Sequence, residues 1–134
     1  MDGNEVLVDT SVWIDHLRVG DPELARLLDT TRVRSHPFVV GELACGHLRE
    51  RAALLHLLRT LPQAPAAEHD EVLFFIERHM LMGRGIGYVD AHLLAAVHLT
   101  PGLRLWTRDR RLHTTAAMLG VAHEQSRVQD AYDT

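Results

Sequence analysis

The feature that most constrains the fold is an alternation of short apolar runs with helical stretches. Val6–Val8 and Leu103–Thr107 are too short and too apolar for helices, and each is followed closely by an aspartate. The segments between and after them carry apolar residues at helical spacing. Strands separated by helices predict an α/β fold in which a parallel sheet is covered on both faces.

The chain has 134 residues, of which 46% are hydrophobic, and this predicts a single domain over 1–134. The predicted elements are a strand at 6–8, helices at 10–17 and from 22, a weak strand at 32–35, helices at 37–48, 50–61, 68–82 and 89–99, a strand at 103–107, a helix at 109–119 and a short strand at 121–122. A polar tail follows from about residue 124, and we expect it to be mobile.

The composition excludes several classes of protein. All 14 basic residues are arginine, so P-loop, Schiff-base, phosphoaspartyl and receiver-domain chemistries, which need a lysine, are excluded. The formal net charge of −4 argues against binding of nucleic acid by bulk attraction. The single cysteine, Cys45, cannot form an internal disulfide and is expected to pack in the interior. With no signal-like or membrane-length apolar segment, a cytoplasmic protein is expected.

Four acidic residues stand where acids are unusual. Asp9 ends the first apolar run, Glu42 borders the apolar stripe of its helix, Asp90 opens an otherwise apolar helix, and Asp109 follows the second run. Taken singly, a helix cap or a turn would explain Asp9, Asp90 or Asp109. Ligands of parallel sheets collect at the carboxyl ends of the strands, where Asp9 and Asp109 are expected and which Asp90 could reach. The set of four therefore predicts a functional site.

Crowded carboxylates repel one another unless they share protons or bind cations. Carboxylate oxygens suit Mg²⁺ or Mn²⁺, and two such ions about 3.5–4 Å apart would promote in-line attack of water on a phosphodiester. This chemistry does not require a 2′-hydroxyl, so a DNA nuclease remains an alternative to a ribonuclease.

Three segments carry a resemblance to a known family: Val8–Ile14 (VDTSVWI), Val40–Leu43 (VGEL), and Gly87–Ala91 (GYVDA) followed by Thr107–Asp109 (TRD). In sequence and order they resemble the PIN domain and, within it, the VapC ribonuclease toxins of type II (VapBC) toxin–antitoxin systems. The resemblance implies a three-layer α/β/α fold with a parallel sheet of four to five strands in the order 3-2-1-4-5.

The resemblance also implies a Mg²⁺- or Mn²⁺-dependent endoribonuclease in which Asp9, Glu42, Asp90 and Asp109 form the acidic quartet that catalyses the reaction and binds the metal. Thr10, Ser11 and Thr107 match the supporting hydroxyls. Proteins of this type generally form homodimers and are silenced by a VapB-type antitoxin whose C-terminal arm covers the site. Their substrates are structured RNAs, commonly transfer RNA and sometimes ribosomal RNA.

Each of two further features has two alternative interpretations. Arg84, Arg108 and Arg110, in a group that also includes Arg104 and Arg111, are candidates for contacts to RNA phosphates or simply form a solvated face. Val72–Ile76 is apolar on all sides of its helix, which fits either a core helix or an interface with a second copy or an antitoxin. A catalytically silent PIN-like module that only binds RNA is the main alternative function.

Overall fold

The computed structural model describes residues 4–124, and the tail predicted to be mobile lies, from residue 125 onward, outside the described residues. The elements are β1 (Glu5–Val8), α1 (Thr10–Val19), α2 (Pro22–Asp29), β2 (Val33–Arg34), α3 (Pro37–Ala44), α4 (Arg51–Thr60), α5 (His69–Arg78), α6 (Tyr88–His98), β3 (Leu103–Trp106) and α7 (Arg110–Met118). The predicted alternation of strands and helices is confirmed.

The three strands form one parallel sheet in the order β2-β1-β3. Single-residue parallel bridges extend it on both sides, from Ser35 to Gln63 beyond β2 and from Leu105 to Ala122 beyond β3. Numbered along the chain, the five segments lie in the order 3-2-1-4-5, which confirms the expected topology. The two outer segments are reduced to one bridge each, so the ladder itself has three strands.

The core is built around β1 and α6. Val6, Leu7 and Val8 of β1 are at most 2% exposed, because a strand with neighbours on both edges and helices on both faces has no contact with solvent. Every residue of the segment 91–97 in α6 is buried as well. Trp13 and Trp106 are buried as well.

Two helices end earlier than predicted. The helix predicted over 37–48 ends at Ala44, and the one predicted over 68–82 ends at Arg78. In the second case Met80 adopts a left-handed conformation (φ 54°), and the N–H of Leu81 donates to the carbonyl of Ile76 at 3.0 Å. This turn closes the helix and buries Leu81 in the core.

The cysteine expectation was wrong. Cys45 follows α3 at the helix C-cap and is exposed, because the chain turns away from the core after Ala44. Within residues 4–124 no helix combines the length and the apolar character needed to cross a membrane.

Candidate active site

The site begins at the carboxyl ends of β1 and β3. Their parallel register pairs Val8 with Trp106, so Asp9 and Thr107, the next residues in each chain segment, lie side by side. The backbone N–H of Asp9 donates to the carbonyl of Trp106 at 2.9 Å and extends the ladder by one bond. The sheet therefore determines the position of Asp9 directly.

Two hydroxyl groups hold the buried Asp9 carboxylate. Ser11 Oγ donates to Oδ2 at 2.9 Å, and Thr107 Oγ1 donates to the same oxygen at 2.7 Å. These hydroxyls accept in turn from the backbone N–H groups of Arg108 (3.0 Å) and Asp109 (3.0 Å), respectively. Asp9 occupies the N-cap position of α1, yet its side chain makes no capping hydrogen bond. Its carboxylate is thus held by the network and not used to stabilise the helix.

Glu42 reaches the site from α3, the helix that follows β2. Thr10, the first residue of α1, donates through Oγ1 to Glu42 Oε1 at 2.7 Å. This bond joins residues 32 positions apart and links the glutamate to the residue next to Asp9.

Asp90 lies in the first turn of α6. This helix leads back into the parallel strand β3, so it runs antiparallel to β3 and its N-terminus lies at the carboxyl edge of the sheet. The backbone N–H of Gly87 donates to Asp90 Oδ2 at 3.1 Å. Burial raises the pKa of Asp90 despite this N–H, and the charges of Asp9, Asp109 and Glu42 raise the pKa further. Asp9, Asp109 and Glu42 therefore each lie within electrostatic reach of Asp90.

Asp109 is the N-cap of α7, and its Oδ1 accepts from the backbone N–H of Leu112 at 3.0 Å. Asp109 thus has the helix-capping role that was considered for it. Its second oxygen takes no hydrogen bond from the described part of the chain.

The same pattern holds for all four acids. Within residues 4–124, one oxygen of each carboxylate accepts one or more hydrogen bonds, and the other oxygen has no protein donor. Each side chain is thus oriented while keeping an oxygen available. In an acidic cluster, such oxygens are suited to bind a hard divalent cation.

The carboxylates do not form a ready-made metal cage. Among the described residues, no three histidine, cysteine or acidic side chains converge closely enough to hold an ion. The donor chemistry nevertheless fits Mg²⁺ or Mn²⁺, which bind carboxylate oxygens and retain several waters, so a compact protein cage is not required.

The three candidate arginines have different surroundings. Arg108 directs its guanidinium at two carboxylates, with Nε 3.1 Å from Asp15 Oδ2 and Nη2 2.5 Å from Asp21 Oδ2. Arg84 and Arg110 line a separate pocket that includes none of the four acids.

Sequence reasoning did not identify the partners of Arg108. Asp21 precedes the helix predicted from residue 22 and caps α2 by accepting from the N–H groups of Glu23 and Leu24. Its contact with Arg108 spans 87 residues, and no local pattern in the sequence signals it.

Comparisons with known proteins identify a family and a similar fold. The PIN domain family matches residues 6–118 of the chain. Ribonuclease VapC32 of Mycobacterium tuberculosis, from strains CDC 1551 / Oshkosh and ATCC 25618 / H37Rv, is 51% identical over 117 residues, covering 87% of this chain and 94% of the relative. The crystal structure of PAE2754 from Pyrobaculum aerophilum matches with a TM-score of 0.54 at 18% identity, covering 88% of this chain and 90% of that one.

Proposed function

The chain belongs to the PIN-domain family and is a VapC-type member of it, and from this premise we propose that it is a Mg²⁺- or Mn²⁺-dependent endoribonuclease. It hydrolyses phosphodiester bonds in structured RNA, with transfer RNA as the first candidate and ribosomal RNA as the second. The observation that carries the proposal is the set of four oriented carboxylates at the carboxyl edge of the sheet, each with one oxygen that accepts from no donor within residues 4–124.

Asp9, Asp90 and Asp109, with Glu42, would hold the cation. When bound, a divalent cation supplies Lewis-acid activation of water and of the phosphate. The hydroxyls of Ser11 and Thr107 fix the orientation of the Asp9 carboxylate, because both donate to its Oδ2. The protein thus orients the carboxylates that would bind the metal before substrate arrives, which lowers the free energy needed to order them during the reaction.

The test is cleavage of total cellular RNA by the purified full chain, with Mg²⁺ or Mn²⁺ and with EDTA. Asp9→Asn is the site variant, since the amide keeps an oxygen for the two hydroxyls but loses the charge. Asp29→Asn, at the exposed end of α2, is the matched control. We expect discrete fragments that disappear with EDTA and with Asp9→Asn, whose rate falls at least about 100-fold, and persist with Asp29→Asn.

Full activity of Asp9→Asn would contradict the proposed role of this residue. RNA binding without cleavage under any metal would favour the silent RNA-binding module. Equal cleavage of single-stranded DNA would instead favour a general nuclease that uses the same chemistry.

We further propose two protein partners. A VapB-type antitoxin covers the acidic site, and a second copy of the chain packs on the apolar groove between α5 and α6. Ala95, His98 and Leu99 line that groove. His98 lies eight residues after Asp90 on the same helix, a rise of about 12 Å. An occupant of the groove therefore leaves the acidic edge accessible, as a dimer that remains active requires.

A further inference from the structure

A second charged feature is formed by residues that are close to Asp90 and Asp109 in the sequence. An open pocket of about 310 Å³ is lined by Gly83, Arg84, Arg110, Arg111, Thr114 and Thr115. Half of these residues are arginines, and none of them is acidic. In a chain with a formal net charge of −4, such a local concentration of positive charge stands out.

The three guanidinium groups have no carboxylate partner in the described part of the chain. Other arginines there do form ion pairs, such as Arg108 with Asp15 and Asp21, and Arg34 with Glu5. Arg84 uses only its Nε, which donates to the carbonyl of Met80 at 3.0 Å. Its two terminal NH₂ groups donate to no acceptor among residues 4–124 and are therefore available to a ligand.

The backbone is shaped to admit Arg111. Gly85 has a φ of +80°, and a Cβ at this position would lie 2.5 Å from Arg111 Cδ and 2.7 Å from Nη1. The arginine side chain therefore lies directly across the loop that carries Arg84. A residue with a side chain at position 85 would displace Arg111 from the loop.

Arg110 and Arg111 also occupy the first two positions of α7. The N-terminus of a helix is the positive end of its dipole, so arginines there are disfavoured and an anion is favoured. Arginine also matches the oxygens of a phosphate by donating two parallel hydrogen bonds. The pocket thus combines several contributions that all attract an oxyanion.

We propose that this pocket binds one backbone phosphate of the RNA substrate, and that Arg84, Arg110 and Arg111 are its ligands. The inference rests on the proposed function for the identity of the strand. Arg110 directly follows Asp109, and the loop that carries Arg84 leads to Asp90. The phosphate held here therefore belongs to a nucleotide close to the scissile bond, and the pocket positions the strand across the carboxylates.

The experiment measures RNA binding apart from cleavage. In the Asp9→Asn background, binding of labelled total transfer RNA is measured between 50 and about 200 mM salt for the parent, Arg110→Gln/Arg111→Gln and Arg59→Gln. Arg59, on α4, forms no ion pair among the described residues and lies outside the pocket, so it controls for lost charge. Arg110→Lys/Arg111→Lys keeps the charge and removes the planar guanidinium groups.

We expect the double glutamine variant to bind at least about tenfold more weakly. The slope of log K against log salt should fall by about 0.7–0.9, the value for one phosphate. The lysine variant should recover the slope but only part of the affinity, and Arg59→Gln should match the parent. Gly85→Ala, which displaces Arg111 without removing a charge, should weaken binding with the slope little changed.

An unchanged affinity and slope in the double glutamine variant would overturn the proposal, as would a parent that binds no RNA. If the enzyme without Asp9→Asn cleaves RNA while the double glutamine variant binds RNA like its parent, the pocket fails and the proposed function stands. If RNA binding depends on the arginines but the enzyme without Asp9→Asn does not cleave RNA, the pocket is supported and the proposed function fails. Polyglutamate, measured in the same way, serves as a probe for acidic peptides. If the double glutamine variant loses binding of polyglutamate but keeps binding of RNA, the pocket binds an acidic peptide and the proposal is wrong.

Discussion

At the scale of single residues, Thr107 connects two of the catalytic candidates. Its buried hydroxyl donates to Asp9 and accepts from the backbone N–H of Asp109. One oxygen atom thus sets the orientation of the first carboxylate and the backbone position of the second. A hydrogen bond to a charged group contributes about 1.5–3 kcal/mol, so its loss should affect both folding and catalysis.

Thr107→Val tests this connection, because valine keeps the shape and removes the hydroxyl. We expect the free energy of unfolding to fall by about 1–3 kcal/mol and cleavage to slow by about 10- to 100-fold. Thr107→Ser, which keeps the hydroxyl, should retain most of both. Urea unfolding and initial cleavage rates provide the measurements. A valine variant as stable and active as the parent would mean that Thr107 has no such role.

Burial of His36 makes the free energy of unfolding depend on pH. Its fully buried ring accepts from the N–H of Phe38 through Nδ1 at 3.0 Å, while Nε2 has no partner among the described residues. Burial, with a smaller contribution from His92, lowers the pKa of His36 from 6.5 to about 4. Between these values the unfolded chain binds a proton that the folded chain does not, so stability falls as the pH decreases.

We expect His36 to reduce the free energy of unfolding by about 2 kcal/mol between pH 7 and pH 5. His36→Asn keeps an oxygen to cap α3 and has no titratable ring, so its pH dependence should be flatter by that amount. Urea unfolding of both proteins at the two pH values measures the difference. The same loss of stability in parent and variant would show that His36 does not titrate as described.

At the scale of secondary-structure elements, Arg108 joins the end of β3 to two helices. Its guanidinium contacts Asp15 of α1 and Asp21, the N-cap of α2, and lies 5.7 Å from the centre of the Trp106 ring. Asp21 is only 9% exposed, so a charge without its arginine partner would be costly there. The arginine therefore holds α1 and α2 against the edge of the sheet that carries the acids.

Arg108→Gln should lower the free energy of unfolding by about 1–3 kcal/mol. Arg59→Gln removes the same charge from an arginine without an ion pair in the described residues and should change it by less than about 0.5 kcal/mol. Thermal and urea unfolding provide the comparison. Equal stability of the two variants would indicate that the contacts of Arg108 with Asp15 and Asp21 contribute nothing measurable.

The same elements show what could be predicted from the sequence. The neighbouring positions of Asp9 and Asp109 follow from short apolar runs that are followed by acids, because parallel strands align their carboxyl ends, whereas the order of the strands was implied by the resemblance to the PIN domain. The end of α5 did not follow, since it depends on the left-handed turn at Met80 and on the burial of Leu81. Nor did the ion pairs of Arg108, because contacts across 87 residues are set by tertiary packing and not by spacing.

At the scale of the whole molecule, an apolar groove lies at the C-terminal part of α6, away from Asp90 at the start of that helix. A groove of about 520 Å³ runs between α5 and α6. Phe74, at its rim, is 69% exposed, and Leu99 is 57% exposed. Within the apolar run Val72–Ile76, Val72 and Phe75 enter the core, whereas Leu73 and Phe74 face outward, so a core helix explains only part of the run. Contiguous apolar surface of this kind commonly marks an interface.

The proposed homodimer places this face against its own copy, as a self-complementary two-fold interface requires. Phe74→Ser should therefore convert a dimer into a monomer of 15.1 kDa in sedimentation or light-scattering measurements at about 10 μM protein. Because Phe74 is exposed in the single chain, unfolding measured on the monomer should change by no more than about 0.5 kcal/mol. Val19→Ser, on a residue of α1 that is 77% exposed, should leave the mass unchanged. A dimer that persists in Phe74→Ser would place the second copy on another face and leave the groove to a different partner.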